Sequence, residues 1–323
     1  MRDVVRGLLL LLMGAVAVPA PAPAEDYPSG PVKIIVPAAA GGSIDVITRL
    51  FADQLTHRWQ QQVLILNHPG GGTAIGVRAA ATSPPDGSTL FLGISSSFVA
   101  LPVLQPNLPF DVGRDFVPIG FVGEQPMVVA VAPSLGVSSL AQLIALAKNR
   151  AGGLNCAVTQ AGGLAHLSAE LFRRRAGIEL TAIHYPGTAQ AVNDLVGGRV
   201  PMIVEALPGL MGAIAGGQLR PLAVAAAQRL PNFPDLPPAS DTIGEFVAVG
   251  WFALMAPPGT PAAIADKVAK DLSEVVAQPE LKRRLQELGT YTRPMAGAEL
   301  KGFIAREQAL WKPLVQEVGA KPQ

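Results

Sequence analysis

Residues 32–59 read VKIIVPAAAGGSIDVITRLFADQLTHRW: a short apolar run, a loop of alanine, glycine and serine, then an amphipathic stretch. In the last part Ile44, Ile47, Leu50, Phe51 and Leu55 recur at spacings of three and four, which gathers them on one face of a helix. Ala40-Gly41-Gly42-Ser43 joins strand to helix, with Ser43 expected as the N-cap and Asp45 in the first turn.

The same unit returns along the chain. VLIL (63–66) enters NHPGGG and a helix near 73–82, and STLFLGI (88–94) enters three serines. LNCAV (154–158) leads through TQAGG to LAHLSAELFRRRAG, TAIH (181–184) through YPGT to AQAVNDLVGG, and PMIV (201–204) through EALPG to LMGAIAGG. Apolar strands alternating with helices imply parallel sheets covered on both faces, hence an α/β protein.

Two segments read as crossings between domains: FVGEQPMVVAVAPS (121–134), and the proline-rich RLPNFPDLPPASD (229–241) followed by FVAVGWFALMAPPGT. They divide the chain into a discontinuous first domain, 25–124 plus 248–323, and a second, 125–247. Two crossings with a cleft between lobes make an architecture suited to trapping a ligand. The closing helices are assigned a packing role, with their charges on a solvated face.

Composition narrows the function. Of 323 residues 49% are hydrophobic and 15% charged, enough apolar content for a large core. With 25 basic and 24 acidic residues the chain lacks the basic excess that a nucleic-acid partner requires. Arg2 and Arg6, the apolar run Leu8–Val18 and Ala22-Pro23-Ala24 form a secretory signal, cleaved after Ala24, that starts the mature chain at Glu25 and directs it to the periplasm. The apolar run is shorter than the ~20 residues that span a bilayer. The lone Cys156, inside a strand-like run, reads as a core residue rather than a reactive thiol.

The loops are where chemistry is expected. In open α/β sheets ligands bind beyond the carboxyl ends of strands, where helix N-termini present unpaired N–H groups. Small residues let the backbone approach an anion closely. The candidate ligand-binding residues of the first domain are Ala39, Gly41, Gly42, Ser43 and Asp45, then Asn67 and Gly71, then Ser95, Ser96 and Ser97. In the second domain they are Thr159, Gln160, Gly162 and His166, then Tyr185 and Gly187, then Glu205. Tyr185 either reaches the cleft or is a half-buried structural tyrosine.

Enzyme signatures fail at named positions. GGGTAIG breaks the dinucleotide-binding spacing at Ile75, and no phosphate loop, nucleophile elbow or HExxH is present. His166 and Glu170, four apart on a helix, have no third metal ligand in view and read as surface or capping residues. His57 and His68 read as solvent-facing, and His184 as a core or cleft-edge residue. No catalytic residue, cofactor or metal is expected.

The segments YPSGPVKIIVPAAAGGSID, VLILNHPGGGTAIG, PPDGSTLFLG, LPFDVGRDFVPIGFVG, HYPGTAQAVNDLVGGRV, GGQLRPLAV and WFALMAPPGTP occur in this order through the mature chain. Together they resemble the Bug family of periplasmic receptors, the substrate-binding components of tripartite tricarboxylate transporters. The resemblance implies a two-domain periplasmic binding protein, or Venus flytrap, with a mostly parallel sheet in each lobe and a ligand cleft between. It also implies a small organic carboxylate held by backbone amides and small hydroxyls of the loops at Ala38–Asp45, Asn67–Gly72 and Ser95–Ser97. On the other lobe it points to Thr159–His166, Tyr185–Gly187 and Glu205. The implied partner is the membrane part of such a transporter or, alternatively, a sensor-kinase ectodomain, and a monomer is expected. Ala40, Ile44, Ala161, Gly163 and the pair Glu205-Ala206 depart from commoner family residues, which implies a ligand with one well-held carboxylate and a less polar body.

Overall fold

The structure, a computed structural model, describes residues 27–159 and 163–319. The expected signal segment with its cleavage site, and the candidate residues Gln160 and Gly162, lie outside the described residues.

The first strands and helices are β1 (Val32–Val36), α1 (Ser43–Trp59), β2 (Val63–Asn67), α2 (Ala74–Ala81) and β3 (Thr89–Ile94). Three short helices follow, α3 (Ser95–Val99), α4 (Leu101–Leu104) and α5 (Val112–Asp115), then the long β4 (Val117–Val131). Next come α6 (Leu140–Lys148), β5 (Leu154–Thr159), α7 (Leu164–Ala176), β6 (Leu180–Tyr185), α8 (Thr188–Val196) and β7 (Met202–Ala206). After α9 (Leu207–Ala215), β8 (Arg220–Val224) and α10 (Ser240–Ile243), the chain returns through β9 (Val249–Ala256). It ends in α11 (Ala262–Val276), α12 (Pro279–Glu287) and α13 (Gly297–Val318).

The strands run in the order β2-β1-β3-β9-β4-β7-β5-β6, with β8 also on β4. Parallel pairing holds for β2-β1-β3 and for β6-β5-β7, as the alternating pattern requires, while β9, β4 and β8 pair antiparallel and join the two halves.

Strand β4 serves both halves. Val117–Pro126 pairs with β9 and Met127–Val131 with β7. Its register slips between Pro118 and Gly120 and again between Phe121 and Gly123. Each bulge bends the strand and increases its twist, so that one segment can leave one sheet and enter the next. At the second bulge a Cβ on Gly123 would lie 2.8 Å from Thr290 Cγ2, so the strap 289–296 can lie close only over glycine. At the crossing three backbone bonds close a ring: Met127 N donates to Ala248 O (3.0 Å), Ala248 N to Ala225 O (2.8 Å) and Ala225 N to Met127 O (2.8 Å).

Helix α1 buries Ile47, Phe51, Leu55 and Trp59. The buried stripe is thus rotated from the one expected, with Ile44 and Leu50 half-buried. The closing helices do more than pack. Asp271 of α11 is buried and accepts from Arg58 Nε (2.7 Å) and Trp59 Nε1 (2.7 Å) of α1, and it also pairs with Lys267. Glu307 of α13 accepts from Trp251 Nε1 (2.9 Å) and Trp311 Nε1 (3.1 Å). These two charges therefore face the interior, against the expectation of a wholly solvated face. Cys156 is buried, and burial pushes its thiol up to about 12, an inert core residue. Among the described residues no helix is long and apolar enough to cross a membrane.

Candidate functional site

Strand register brings the loops together. Ile94, the end of β3, lies opposite Phe252, which lies opposite Gly123 of β4. In the other half Glu205 of β7 lies opposite Val128 of β4, and Thr159 and Tyr185 end their strands side by side. The carboxyl ends of both parallel sets therefore point at the same short stretch of β4, from opposite directions. At about 3.3 Å per residue, the two levels stand on the order of 17 Å apart along the strand, a span suited to a small molecule.

In the first half the loop after β1 is exposed from Ala39 to Ser43. Gly42, not Ser43, is the N-cap of α1 and makes no side-chain cap, which leaves the Ser43 hydroxyl outside that role. Asp45 is buried and serves as a girder. It accepts from Gly41 N (2.9 Å), Arg49 Nε (3.0 Å) and Asn67 Nδ2 (3.1 Å), and Asn67 Nδ2 also reaches Ala38 O (3.1 Å). The Arg49 hydrogen bond holds the Asp45 carboxyl below its usual range. Asp45 and Asn67 thus tie the first two loops together and spend their polar atoms on partners within the protein.

The second loop places Gly70, Gly71, Gly72 and Thr73 consecutively at positive φ. Gln105 Nε2 donates to Gly71 O (2.8 Å) and fixes this turn from the side. In the third loop Ser95 and Ser97 are buried and Ser96 half-buried, at the start of α3.

In the second half Glu205 is buried between the first turns of α8 and α9. It accepts from Thr159 Oγ1 (2.7 Å) and Ala206 N (2.8 Å) and is also hydrogen-bonded by Thr188. Burial raises its carboxyl above the ordinary range and outweighs those bonds. Tyr185 is half-buried, and its hydroxyl donates to Asp194 Oδ2 (2.9 Å). Gly187 is the N-cap of α8.

His166 is half-buried and meets His184 edge-on, with ring centroids 4.6 Å apart. Burial first, then the charge of His184, lowers its pKa. Glu170 is held by Arg173 (2.6 Å) and Arg174 (3.2 Å). Among the described residues no three His, Cys, Asp or Glu side chains cluster as a metal site. His57 is exposed and His68 half-buried, while His184 is exposed on the edge strand rather than in the core.

Sequence reasoning took Thr73 only as the last residue of the candidate loop 67–73 and Thr188 only as the end of YPGT, and singled out neither. The legible signal was a β-branched hydroxyl residue closing a glycine-containing strand-to-helix loop. Two further hollows, of about 300 Å³ beside Arg150 and Arg199 and about 540 Å³ beside Leu171 and Leu310, include none of the candidate residues.

Residues 47–320 match the family model described as tripartite tricarboxylate transporter family receptor, TctC. The protein BugT of Bordetella pertussis is 36% identical over 313 residues, 96% of each chain. Among solved structures, R. palustris Rpa4515 with adipate superposes with a TM-score of 0.78 at 30% identity, covering 92% of this chain and 100% of that one. MatC from Rhodopseudomonas palustris with bound malate gives 0.74 at 27% identity, covering 90% and 100%. The mixed sheet joined through β4 is accordingly the two-lobed periplasmic binding protein fold, and this chain belongs to the tripartite tricarboxylate transporter receptor family.

Proposed function

We propose that this chain is a periplasmic receptor that captures a small organic carboxylate between its lobes and delivers it to the membrane subunits of a tripartite tricarboxylate-type transporter. The observation that carries this reading is the convergence of both sets of strand carboxyl ends on Gly123–Val128. It is supported by the adipate and malate held by two similar structures. The lobes divide as 25–124 plus 248–323 and 125–247, hinged at the backbone ring of Met127, Ala225 and Ala248.

The second lobe carries its own anion. Glu205 already takes up donors at the starts of α8 and α9, so the positive ends of those helices are offset by a protein carboxylate. The ligand's carboxylate accordingly sits against the first lobe, on the exposed Ala39–Ser43 loop, at amides other than that of Gly41, which Asp45 holds, and on the neighbouring serines. The rest of the ligand is less polar, as in an aromatic or medium-chain monoacid. Cleft closure on this ligand is the recognition event.

The test is native mass spectrometry of the mature protein purified from its own periplasm, followed by identification of any released molecule. A co-purifying carboxylic acid is expected. A ligand-free protein with no thermal shift across mono-, di- and tricarboxylates defeats the carboxylate reading. Sub-micromolar citrate or malate binding without binding of monoacids defeats the monoacid preference.

A further inference from the structure

Thr73 stands where a threonine is poorly suited. Its backbone is at φ 86° and ψ −9°, the left-handed region that a β-branched residue rarely enters. The three residues before it share positive φ, and all three are glycine, for which that region carries no penalty. As the N-cap of α2, Thr73 would ordinarily turn its hydroxyl onto the first free amides of the helix, yet it makes no such cap. The residue is 7% exposed, and its Oγ1 has no hydrogen-bond partner.

A second hydroxyl in the same condition lies on the adjoining element. Helix α3 packs against the Gly71–Thr73 turn, and Ser97 of α3 is fully buried with an unpartnered Oγ. Buried hydroxyls without partners are rare because each forfeits its hydrogen bonds to water. Glycine at position 73 would relieve both the backbone strain and the orphaned hydroxyl. A residue that folding alone disfavours on two counts, beside the loops of the candidate cleft, is accounted for by a contact completed on binding.

We propose that Thr73 is a specificity-determining residue: its hydroxyl donates a hydrogen bond to an acceptor oxygen of the bound acid, next to Ser97. The inference rests on the carboxylate reading above and adds to it a named donor with a stored conformational cost.

The experiment compares wild type with T73G, T73V and T73S by calorimetric titration against adipate, malate, hexanoate and benzoate, and by thermal melting of each ligand-free protein. T73G is expected to melt higher than wild type and to bind the best acid at least about tenfold more weakly, the loss of one good hydrogen bond. T73V keeps the branched shape, loses the hydroxyl and loses affinity to a similar degree. T73S restores binding to within about threefold, which a purely structural role does not require. If T73G melts higher while T73G and T73V both bind like wild type, the hydroxyl serves only an internal water or nothing, and this inference falls while the carboxylate reading stands. Wild type binding none of the acids overturns both.

Discussion

The Thr159 hydroxyl donates to Glu205 Oε2 at 2.7 Å, which joins the carboxyl ends of β5 and β7 through a buried carboxylate. No guanidinium or ammonium pairs with Glu205 among the described residues. Its charge is balanced by hydroxyls, one amide and helix termini, and burial prevails over them in raising its pKa.

The consequence is a pH dependence with a definite sign. A carboxyl whose pKa is raised on folding favours the native state when protonated. That contribution is fully present below the ordinary value of 4.5 and disappears as pH rises through the higher folded value. Ligand-free E205Q, which stays neutral, is therefore expected to gain stability relative to wild type as pH rises from 4.5 through the higher folded value. Thermal melts across that range check it, and a pH-independent difference would contradict the assignment.

Asp45 behaves in the opposite sense. Its lowered pKa means that its contribution is present above the ordinary value of 3.8 and is lost as pH falls through the folded value. D45A frees Gly41 N and Asn67 Nδ2, so a loss of about 1–2 kcal/mol in stability is expected. Because Arg49 is 53% exposed, little of this comes from the ion pair itself. Affinity for any acid bound by wild type should fall about tenfold as the first two loops loosen. Unchanged affinity with reduced stability would restrict Asp45 to folding.

Asp271 links α11 to α1 far from the cleft. D271A leaves Arg58 and Lys267 without their buried partner and Trp59 without its acceptor, and is expected to destabilise by about 3 kcal/mol with ligand affinity unchanged. Urea unfolding together with titration separates the two effects. A loss below about 1 kcal/mol would mean that water replaces the carboxylate at little cost.

Gly123 tests the fit of the strap to the bulge. G123A sets a methyl group 2.8 Å from Thr290 Cγ2 and 3.3 Å from Tyr291 O, the second a backbone atom. Destabilisation of about 1–3 kcal/mol is expected from the overpacking. Thermal unfolding of the variant at wild-type temperature would show that the strap can lift away.

The strand–loop–helix rhythm of residues 32–59 was legible because strand and helix periods are local properties. The same rhythm placed the loops of Ser43, Asn67, Ser95, Thr159, Tyr185 and Glu205 at one kind of strand end. What each residue does there was less legible, since it depends on partners distant in sequence. Asp45 reads as a first-turn acid, but its tie to Asn67 spans 22 positions. Glu307 reads as a surface glutamate, yet one of its indole partners is Trp251, 56 residues away. That 121–134 is one strand-like run was legible, but not that its strand begins at Val117 and bends twice, because a bulge is decided by the neighbouring strand. Thr73 lay within the candidate loop, but its conformation was hidden for another reason: left-handed backbone is expected at glycine, and the run of glycines ends one residue too early.

The ring of Met127, Ala225 and Ala248 is made wholly of main-chain atoms, so it restricts the sequence through the backbone alone. Each position must supply an amide hydrogen, which bars proline at three sites in a chain that uses 30 prolines, one of them at position 126. Their side chains contribute no bond to the ring, and only the buried space that each occupies, small at Ala225 and Ala248 and larger at Met127, limits what may replace them. A saturation library should therefore show a narrow exclusion at these three codons: small apolar residues accepted, proline rejected. These three positions could then vary in side chain while the main-chain hydrogen bonds stayed the same.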